Sequence, residues 1–301
     1  MNGGGILVTG GSGQLARALA EAAGSRKLRV VGRPALDFDR LASLPALLAE
    51  ARPALVINAA AHTAVDRAET EAAAAWRANR DGPAVLAAWC GAAGIPMIHV
   101  STDFVFDGTK GAPYTEADAT NPIGVYGASK LAGEQAVLAV CPRAIILRTS
   151  WVYAATGRNF VLTMLNLARS HETLRVVADQ QGCPTAAGDL ADAILGIADI
   201  LARGGWRDEF AGIYHAAGTG STSWHGLASA AIAGAAKFGH KQPREIAAIT
   251  TADFPTPARR PADSRLACGK LEAVFGLRLP SWEAALDRTL ARIDAAPPRV
   301  P

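Results

Sequence analysis

The amino-acid sequence predicts an α/β protein, a doubly wound parallel sheet joined to a second, smaller α/β lobe. Three observations carry this expectation. Short apolar runs rich in Val, Ile and Leu recur through the first half, and Ala/Leu-rich stretches long enough to be crossover helices lie between them. A glycine-rich turn follows the first run directly, and the regular alternation loosens beyond Trp151. Strands apolar on both faces belong to a parallel sheet covered by helices, and parallel pairing requires the crossovers.

The elements follow in order. Strand Ile6-Leu7-Val8 leads into a helix from Gln14 to Ala23, strand Leu28 to Val31 into a helix from Leu41 to Ala51, and strand Leu55-Val56-Ile57 into a helix from Glu69 to Ala93. Strand Met97 to Val100, a helix from Tyr126 to Val140 and strand Ala144 to Leu147 complete the series. The uncharged stretch from Pro83 to Val100 has the length of a membrane span, but Gly91, Gly94 and Pro96 cut it into a helix and a short strand. In the second half, helical stretches at Asn159 to Ser170, Gly188 to Arg203, Trp224 to Lys237 and Ser281 to Ile293 alternate with strands at Leu174 to Val177, Gly212 to His215 and Glu245 to Thr250. Pro255, Pro257 and Pro261 mark an irregular loop, and the Pro-rich end from Ala295 is expected to fray. This reading divides the chain into a dinucleotide-binding domain, residues 1–150, and a substrate lobe, residues 151–301, with some chain crossing back to the first domain.

Composition narrows the function classes. The 301 residues are 50% hydrophobic and 19% charged, which excludes a disordered tail or a collagen. A formal net charge of +3 with scattered basic residues lacks the footprint of a nucleic-acid binder. Cys90, Cys141, Cys183 and Cys268 lie far apart without a CxxC, and Met1-Asn2-Gly3 does not open a secretory leader, so a reducing cytoplasmic setting is expected, without zinc or a membrane anchor. Of 30 basic residues only six are Lys, which makes the placing of each Lys informative.

Gly10-Gly11-Ser12-Gly13-Gln14-Leu15-Ala16 sits at the first strand-to-helix junction. Small residues there let the backbone approach a pyrophosphate, and the helix N-terminus offers unpaired N–H groups and a positive dipole. Gly10, Gly13, Gln14 and Leu15 are therefore candidate cofactor contacts in a Rossmann-type fold. The second strand ends at Gly32-Arg33; an Arg there suits the 2′-phosphate of NADPH, with NADH as the other cofactor and a solvated loop arginine as the other reading. Asp37 and Phe38 either cover the adenine or cap the helix near Leu41. Asn58-Ala59-Ala60-Ala61-His62-Thr63 leaves the third strand at the sheet's carboxyl edge, where Ala59, Ala60, Ala61 and Thr63 let a flat cofactor lie against backbone.

The fourth strand is followed by Ser101-Thr102-Asp103, and Tyr126-Gly127-Ala128-Ser129-Lys130 comes later. Tyr126 and Lys130, four apart on a helix, share a face. A phenol has an ordinary pKa of about 10, and a neighbouring ammonium is expected to lower it so that Tyr126 donates a proton to a carbonyl oxygen. Thr102 is a hydroxyl placed for the same oxygen, and Lys130 is suited to hold a nicotinamide ribose. Together these residues resemble the extended branch of the short-chain dehydrogenase/reductase superfamily.

The resemblance narrows further. Gly13-Gln14-Leu15, the run from Asn58 to Asp66, Ser101 to Gly108, Tyr126 to Glu134, Arg148-Thr149-Ser150-Trp151-Val152-Tyr153, Asp179-Gln180 and Arg260 to Leu266 are similar to the dTDP-4-dehydrorhamnose reductase family over nearly the whole chain. That likeness implies reduction of the 4-keto group of a dTDP-6-deoxy-hexulose by a nicotinamide hydride, the last step of dTDP-rhamnose biosynthesis. It implies Tyr126 as proton donor, Lys130 as its partner and ribose clamp, and Thr102 as the hydroxyl orienting the carbonyl. Asp103 and Trp151 match positions lining the sugar, Trp151 being otherwise a core aromatic. Arg260 either meets the diphosphate or ties down the Pro-rich loop. Ala16 stands where the family often has a third Gly. Some relatives join subunits through a carboxylate-bound magnesium ion, whereas the matching places near Ala18 and Gly188 carry no carboxylate, so neither that metal nor a dimer built on it is expected; monomer and homodimer both remain open. The competing readings are another dTDP-keto-sugar reductase, an epimerase retaining its NAD, and a nucleotide-binding regulatory subunit without turnover.

Overall fold

The structure is a computed structural model and describes residues 4–295. Strands β1 (Ile6–Thr9), β2 (Leu28–Val31), β3 (Leu55–Asn58), β4 (Met97–Thr102), β5 (Ala144–Thr149) and β10 (Gly212–His215) form one sheet in the order β10-β5-β4-β3-β1-β2. Every neighbouring pair in it is parallel. The order reverses between β1 and β3, which opens a crevice at the carboxyl ends of the strands.

Alternation along each strand sends successive side chains to opposite layers. Leu7, Val56, Met97 and Ile146 pack on one face with helices α2 (Leu44–Ala51), α5 (Gly82–Ala93) and α6 (Val125–Val140). Val8, Ile57, Ile98 and Leu147 pack on the other with α1 (Gln14–Glu21), α8 (Ala187–Gly204) and α10 (Gly269–Phe275). Both faces are dry, which is why these strands read as unbroken apolar runs. Three elements from beyond residue 151 (α8, β10 and α10) thus belong to the central sheet's layers; α10 was not expected from the sequence.

The remaining second-half elements form a separate core. Helices α7 (Phe160–Ser170), α9 (Trp224–Ala235) and α11 (Trp282–Asp294) bury Val161, Leu165, Leu227, Ile232, Leu286 and Leu290 together with Leu174 and Val176. Two-stranded pairings border it: β7 (Thr173–Val177) with β12 (Glu245–Ile249), β8 (Gln181–Gly182) with β11 (Thr222–Ser223), and β6 (Val152–Tyr153) with β9 (Thr185–Ala186).

Two differences from the sequence expectation bear on the site. The single helix expected over Glu69 to Ala93 is three pieces, α3 (Val65–Thr70), α4 (Ala72–Trp76) and α5, with a π-helical turn at Arg77–Asp81 between the last two. Pro83 has no N–H to give the carbonyl of Asn79 four residues back, so the regular ladder is interrupted there. Gly133 of α6 packs so closely on that carbonyl that a side chain would collide with it. Strands β4 and β5 run two residues past Val100 and Leu147, because Ser101 pairs in register with Arg148 and Thr102 with Thr149. The readings made for Met1–Gly3 and for the tail past Ala295 lie outside the described residues. No helix among the described residues is long and apolar enough to cross a membrane.

Candidate active site

A cleft of about 860 Å³ lies at the carboxyl edge of the sheet, and residues from both halves of the chain line it. Its floor is the first turn. Gly10 has φ +113, a value L side chains rarely adopt, and a Cβ there would sit 2.9 Å from the Ala59 carbonyl oxygen. Gly11 N–H donates to Val31 O and Gly13 N–H to Gly10 O, which closes the turn. Gly13 caps α1 with no side-chain acceptor, leaving the helix's first N–H groups for a ligand. Gly10, Gly13, Gln14 and Leu15 all line the cleft.

The second wall, Ala59, Ala60, Ala61 and Thr63, lines it too. Buried Asn58 shapes this turn: it accepts from Thr9 Oγ1, receives the Ala60 N–H at 3.3 Å, and its Nδ2 bonds His99 Nδ1 at 2.9 Å. Asn79, in the π-helical turn, accepts the His62 N–H at 2.8 Å and donates to Ser129 Oγ at 3.0 Å. It thereby ties the cofactor wall to the helix carrying Tyr126 and Lys130. Neither link was visible in sequence, since the partners lie 17 and 50 residues apart.

At the adenine end the expectations divide. Arg33 and Phe38 line the cleft, while Asp37 does not. Asp37 instead accepts from Arg33 Nε at 2.8 Å and from the Asp39 N–H at 3.0 Å, and the turn at Leu41 is capped by Arg40 without a side-chain bond. Asp37 thus neither reaches the adenine wall nor caps a helix, because its carboxylate is spent folding its own loop. The exposed Arg33 guanidinium bonds Asp39 at 2.6 Å as well. Arg158, not singled out from sequence, joins Arg33 and Lys130 in the lining. The guanidiniums of Arg33 and Arg158 supply positive charge suited to a dinucleotide's phosphates.

Thr102, Asp103, Tyr126, Lys130 and Trp151 converge at the other end. Thr102 Oγ1 donates to Asp103 Oδ1 at 3.0 Å and accepts the Phe104 N–H, and Ser150 donates to Asp103 Oδ2 at 2.8 Å. With hydroxyl donors in place of a cation, burial pushes the Asp103 carboxyl up to about 6. Lys130 is buried and donates to Val100 O at 2.7 Å. Burial brings its ammonium down to about 8, against the opposing charge of Glu134. Glu134 itself is held by Arg148 through contacts of 2.7 to 3.2 Å and receives Ser101 Oγ.

One expectation is overturned here. The Tyr126 phenol is not drawn below its ordinary value: burial pushes it up to about 12, the Asp103 charge adds to this, and only Thr102 opposes it. Desolvation sets this value, while the Lys130 ammonium is committed to the Val100 carbonyl. Arg260 does not line the cleft. It grips Asp66 with two contacts of 2.8 and 3.1 Å and donates to Thr256 Oγ1 and Ala258 O, so it ties down the Pro-rich loop.

Ala18 and Gly188 line a separate 220 Å³ cleft with Glu21, Asp189 and Asp192. The carboxylates near those places, missed from sequence, are largely taken: Arg292 holds Glu21 and Arg288 holds Asp189. In this arrangement Glu21 and Asp189 are engaged by guanidiniums rather than presented to a magnesium ion, which takes oxygen ligands. Among the described residues no group of three or more His, Cys, Asp or Glu is placed to hold a metal ion.

A parallel sheet with its crevice at the order reversal, a glycine turn at a helix N-terminus and a Thr-Tyr-Lys cluster beside it define a Rossmann-type dinucleotide-binding oxidoreductase. Comparison with known proteins gives the particular family. The chain belongs to the family described as RmlD substrate binding domain, whose model matches residues 4–295. It is 45% identical over 284 residues to a dTDP-4-dehydrorhamnose reductase of Sinorhizobium fredii, covering 94% of this chain and 95% of that one. Its structure is similar to that of a dTDP-4-dehydrorhamnose reductase from Clostridium acetobutylicum, with TM-score 0.87 and 36% identity over 96% of this chain and 99% of that one. A Bacillus anthracis dTDP-4-dehydrorhamnose reductase in complex with NADP is similar at TM-score 0.87 and 33% identity, over 95% and 98% of the two chains.

Proposed function

We propose that the protein is a dTDP-4-dehydrorhamnose reductase that converts the 4-keto group of dTDP-4-dehydro-6-deoxy-L-hexulose to the alcohol of dTDP-L-rhamnose. The observation that carries this reading is the meeting of Thr102, Tyr126 and Lys130 with the glycine turn in one cleft, in a chain of this family. The residues fit NADPH: Gly10, Gly13, Gln14 and Leu15 would hold the pyrophosphate, Arg33 the 2′-phosphate, and Lys130 the nicotinamide ribose. When bound, the cofactor supplies a hydride to C4.

The chain's own residues supply the rest. A phenol held up at about 12 is fully protonated at neutral pH, the state a proton donor needs, so Tyr126 delivers its proton to the developing O4 oxyanion. The charge left on the phenolate is stabilised by the Lys130 ammonium, whose value near 8 also suits it to pass a proton back. The Thr102 hydroxyl orients O4, and Asp103 fixes that hydroxyl in turn. Asp103 and Trp151 border the sugar, with the stacked indole offering it a flat apolar face. The reading places this chemistry in the cytoplasm, in a monomer or homodimer, with thiols Cys90, Cys141, Cys183 and Cys268 free.

The test is direct. The purified protein, given the dTDP-4-keto sugar and NADPH, is expected to consume one NADPH per substrate by absorbance and to give the L-rhamno C4 configuration by NMR. Turnover without net NADPH oxidation would show an epimerase instead.

A further inference from the structure

We infer that Trp224, which does not line the cleft, is a positioning residue that holds the Trp151 indole in place against the sugar; the inference rests on the proposed reductase reading. Trp151 does line the cleft, beside Thr102, Asp103 and Tyr126. Its backbone has φ +47, a left-handed value for a bulky side chain. Such a conformation persists only where the surroundings hold it, and it gathers at ligand-binding positions.

The surroundings are specific. The Trp151 and Trp224 rings stack with centroids 3.5 Å apart and planes within 6°. Phe160 packs on Trp224 at 4.6 Å, and Gly182 lies so near the Cε2–Nε1 part of the Trp151 indole that any side chain there would collide with it. Trp224 cannot slide in its own plane without breaking a bond. Its Nε1 donates to Oε1 of buried Gln180 at 3.1 Å, Gln180 Nε2 donates to Thr251 Oγ1 at 3.0 Å, and Thr251 Oγ1 donates to Asp179 Oδ1 at 2.7 Å. Ser223 caps the helix at Trp224 by accepting the Gly226 N–H. The wall of the sugar site is therefore a two-layer aromatic slab, and its rear layer is anchored to the turn before β8 and the loop after β12. Only Trp151 was singled out from sequence, because Trp224 reads there as an apolar helix start.

A rear layer that orients a front layer acts on substrate and transition state alike, so its loss raises KM and leaves kcat. Three proteins test this: wild type, Trp224→Leu and Trp224→Phe. The readouts are steady-state kinetics on the dTDP-4-keto sugar, NADPH affinity by calorimetry, and the far-UV circular-dichroism couplet that two stacked indoles produce. Trp224→Leu is expected to abolish the couplet and raise KM about twofold to tenfold, the range an aromatic pair is worth, with kcat and NADPH affinity within about twofold of wild type. Trp224→Phe, which keeps a flat face but loses the Nε1–H to Gln180, is expected to give a KM between those of wild type and Trp224→Leu. An unchanged KM in Trp224→Leu once the couplet is lost would overturn the positioning role. So would a joint fall of kcat, NADPH affinity and melting temperature in both variants, which marks general structural damage. Wild-type turnover is the control: without it the reductase reading itself fails, and with it only the role of Trp224 is at stake.

Discussion

Glu134→Gln probes stability and catalysis through one buried contact. The Glu134 and Arg148 side chains are 1% and 2% exposed, and the guanidinium meets the carboxylate through Nε at 2.9 Å and Nη2 at 2.7 Å. Arg148 also lies over the Phe106 ring at 5.1 Å, and its Nη1 has no partner, so no other carboxylate takes over if Glu134 loses its charge. Removing one member of a buried pair strands the other charge at about 3–5 kcal/mol, and a Gln that still accepts one bond belongs near the lower end, about 3 kcal/mol. Urea unfolding is expected to show this as a lower midpoint with an unchanged slope. The catalytic arm follows from Lys130. Glu134 raises its ammonium against burial, which brings it to about 8, so neutralising Glu134 lowers it further. The alkaline limb of kcat/KM, where Lys130 loses its proton, then moves to lower pH. A stability loss under about 1 kcal/mol together with an unmoved alkaline limb would refute the argument, since both arms derive from the same buried charge.

Three further outcomes are expected. Tyr126→Phe loses about 10²- to 10⁴-fold in kcat, the range for general-acid catalysis, while NADPH affinity by calorimetry stays near wild type; near-full turnover would remove Tyr126 as donor. Asp103→Asn removes a carboxyl whose folded value, about 6, lies above its ordinary 3.8. The folded wild type binds that proton more tightly than the unfolded chain, so its stability declines as pH rises from about 4 to about 6. The variant's urea midpoint should gain on wild type across that window, and parallel curves would contradict the shift. Arg33→Ala should raise KM for NADPH about tenfold and leave NADH unchanged, the low end for a charge-assisted bond because the guanidinium is exposed; equal changes for both cofactors would exclude a 2′-phosphate contact.

What sequence alone determined is the part of this protein whose physics is local. Apolar runs such as Leu55-Val56-Ile57 foretold strands because both of their faces are covered, and the Gly10 turn was legible because only glycine takes its backbone angle. Tyr126 and Lys130 share a helical face by periodicity, and the helix at Tyr126 to Val140 formed as read. The ends of β4 and β5 were missed because the signal sought was apolarity, and Ser101, Thr102, Arg148 and Thr149 are polar residues that stay in strand register.

The tertiary structure decided whatever depends on long-range partners or on dielectric. Arg260 meets Asp66 across 194 residues, a contact invisible in either local segment that commits it to the Pro-rich loop. Strand β10 adds itself to β5 from beyond residue 210, so the central sheet is completed by chain from the second half. Trp224 finds Trp151 only once α9 has packed. The expectation for the Tyr126 phenol reversed, because spacing shows which groups are neighbours but not how much water each has lost. Burial holds Tyr126 high, Lys130 low and Asp103 half-titrated near pH 6 in a site whose residues, read in line, suggested only that an ammonium would acidify a phenol.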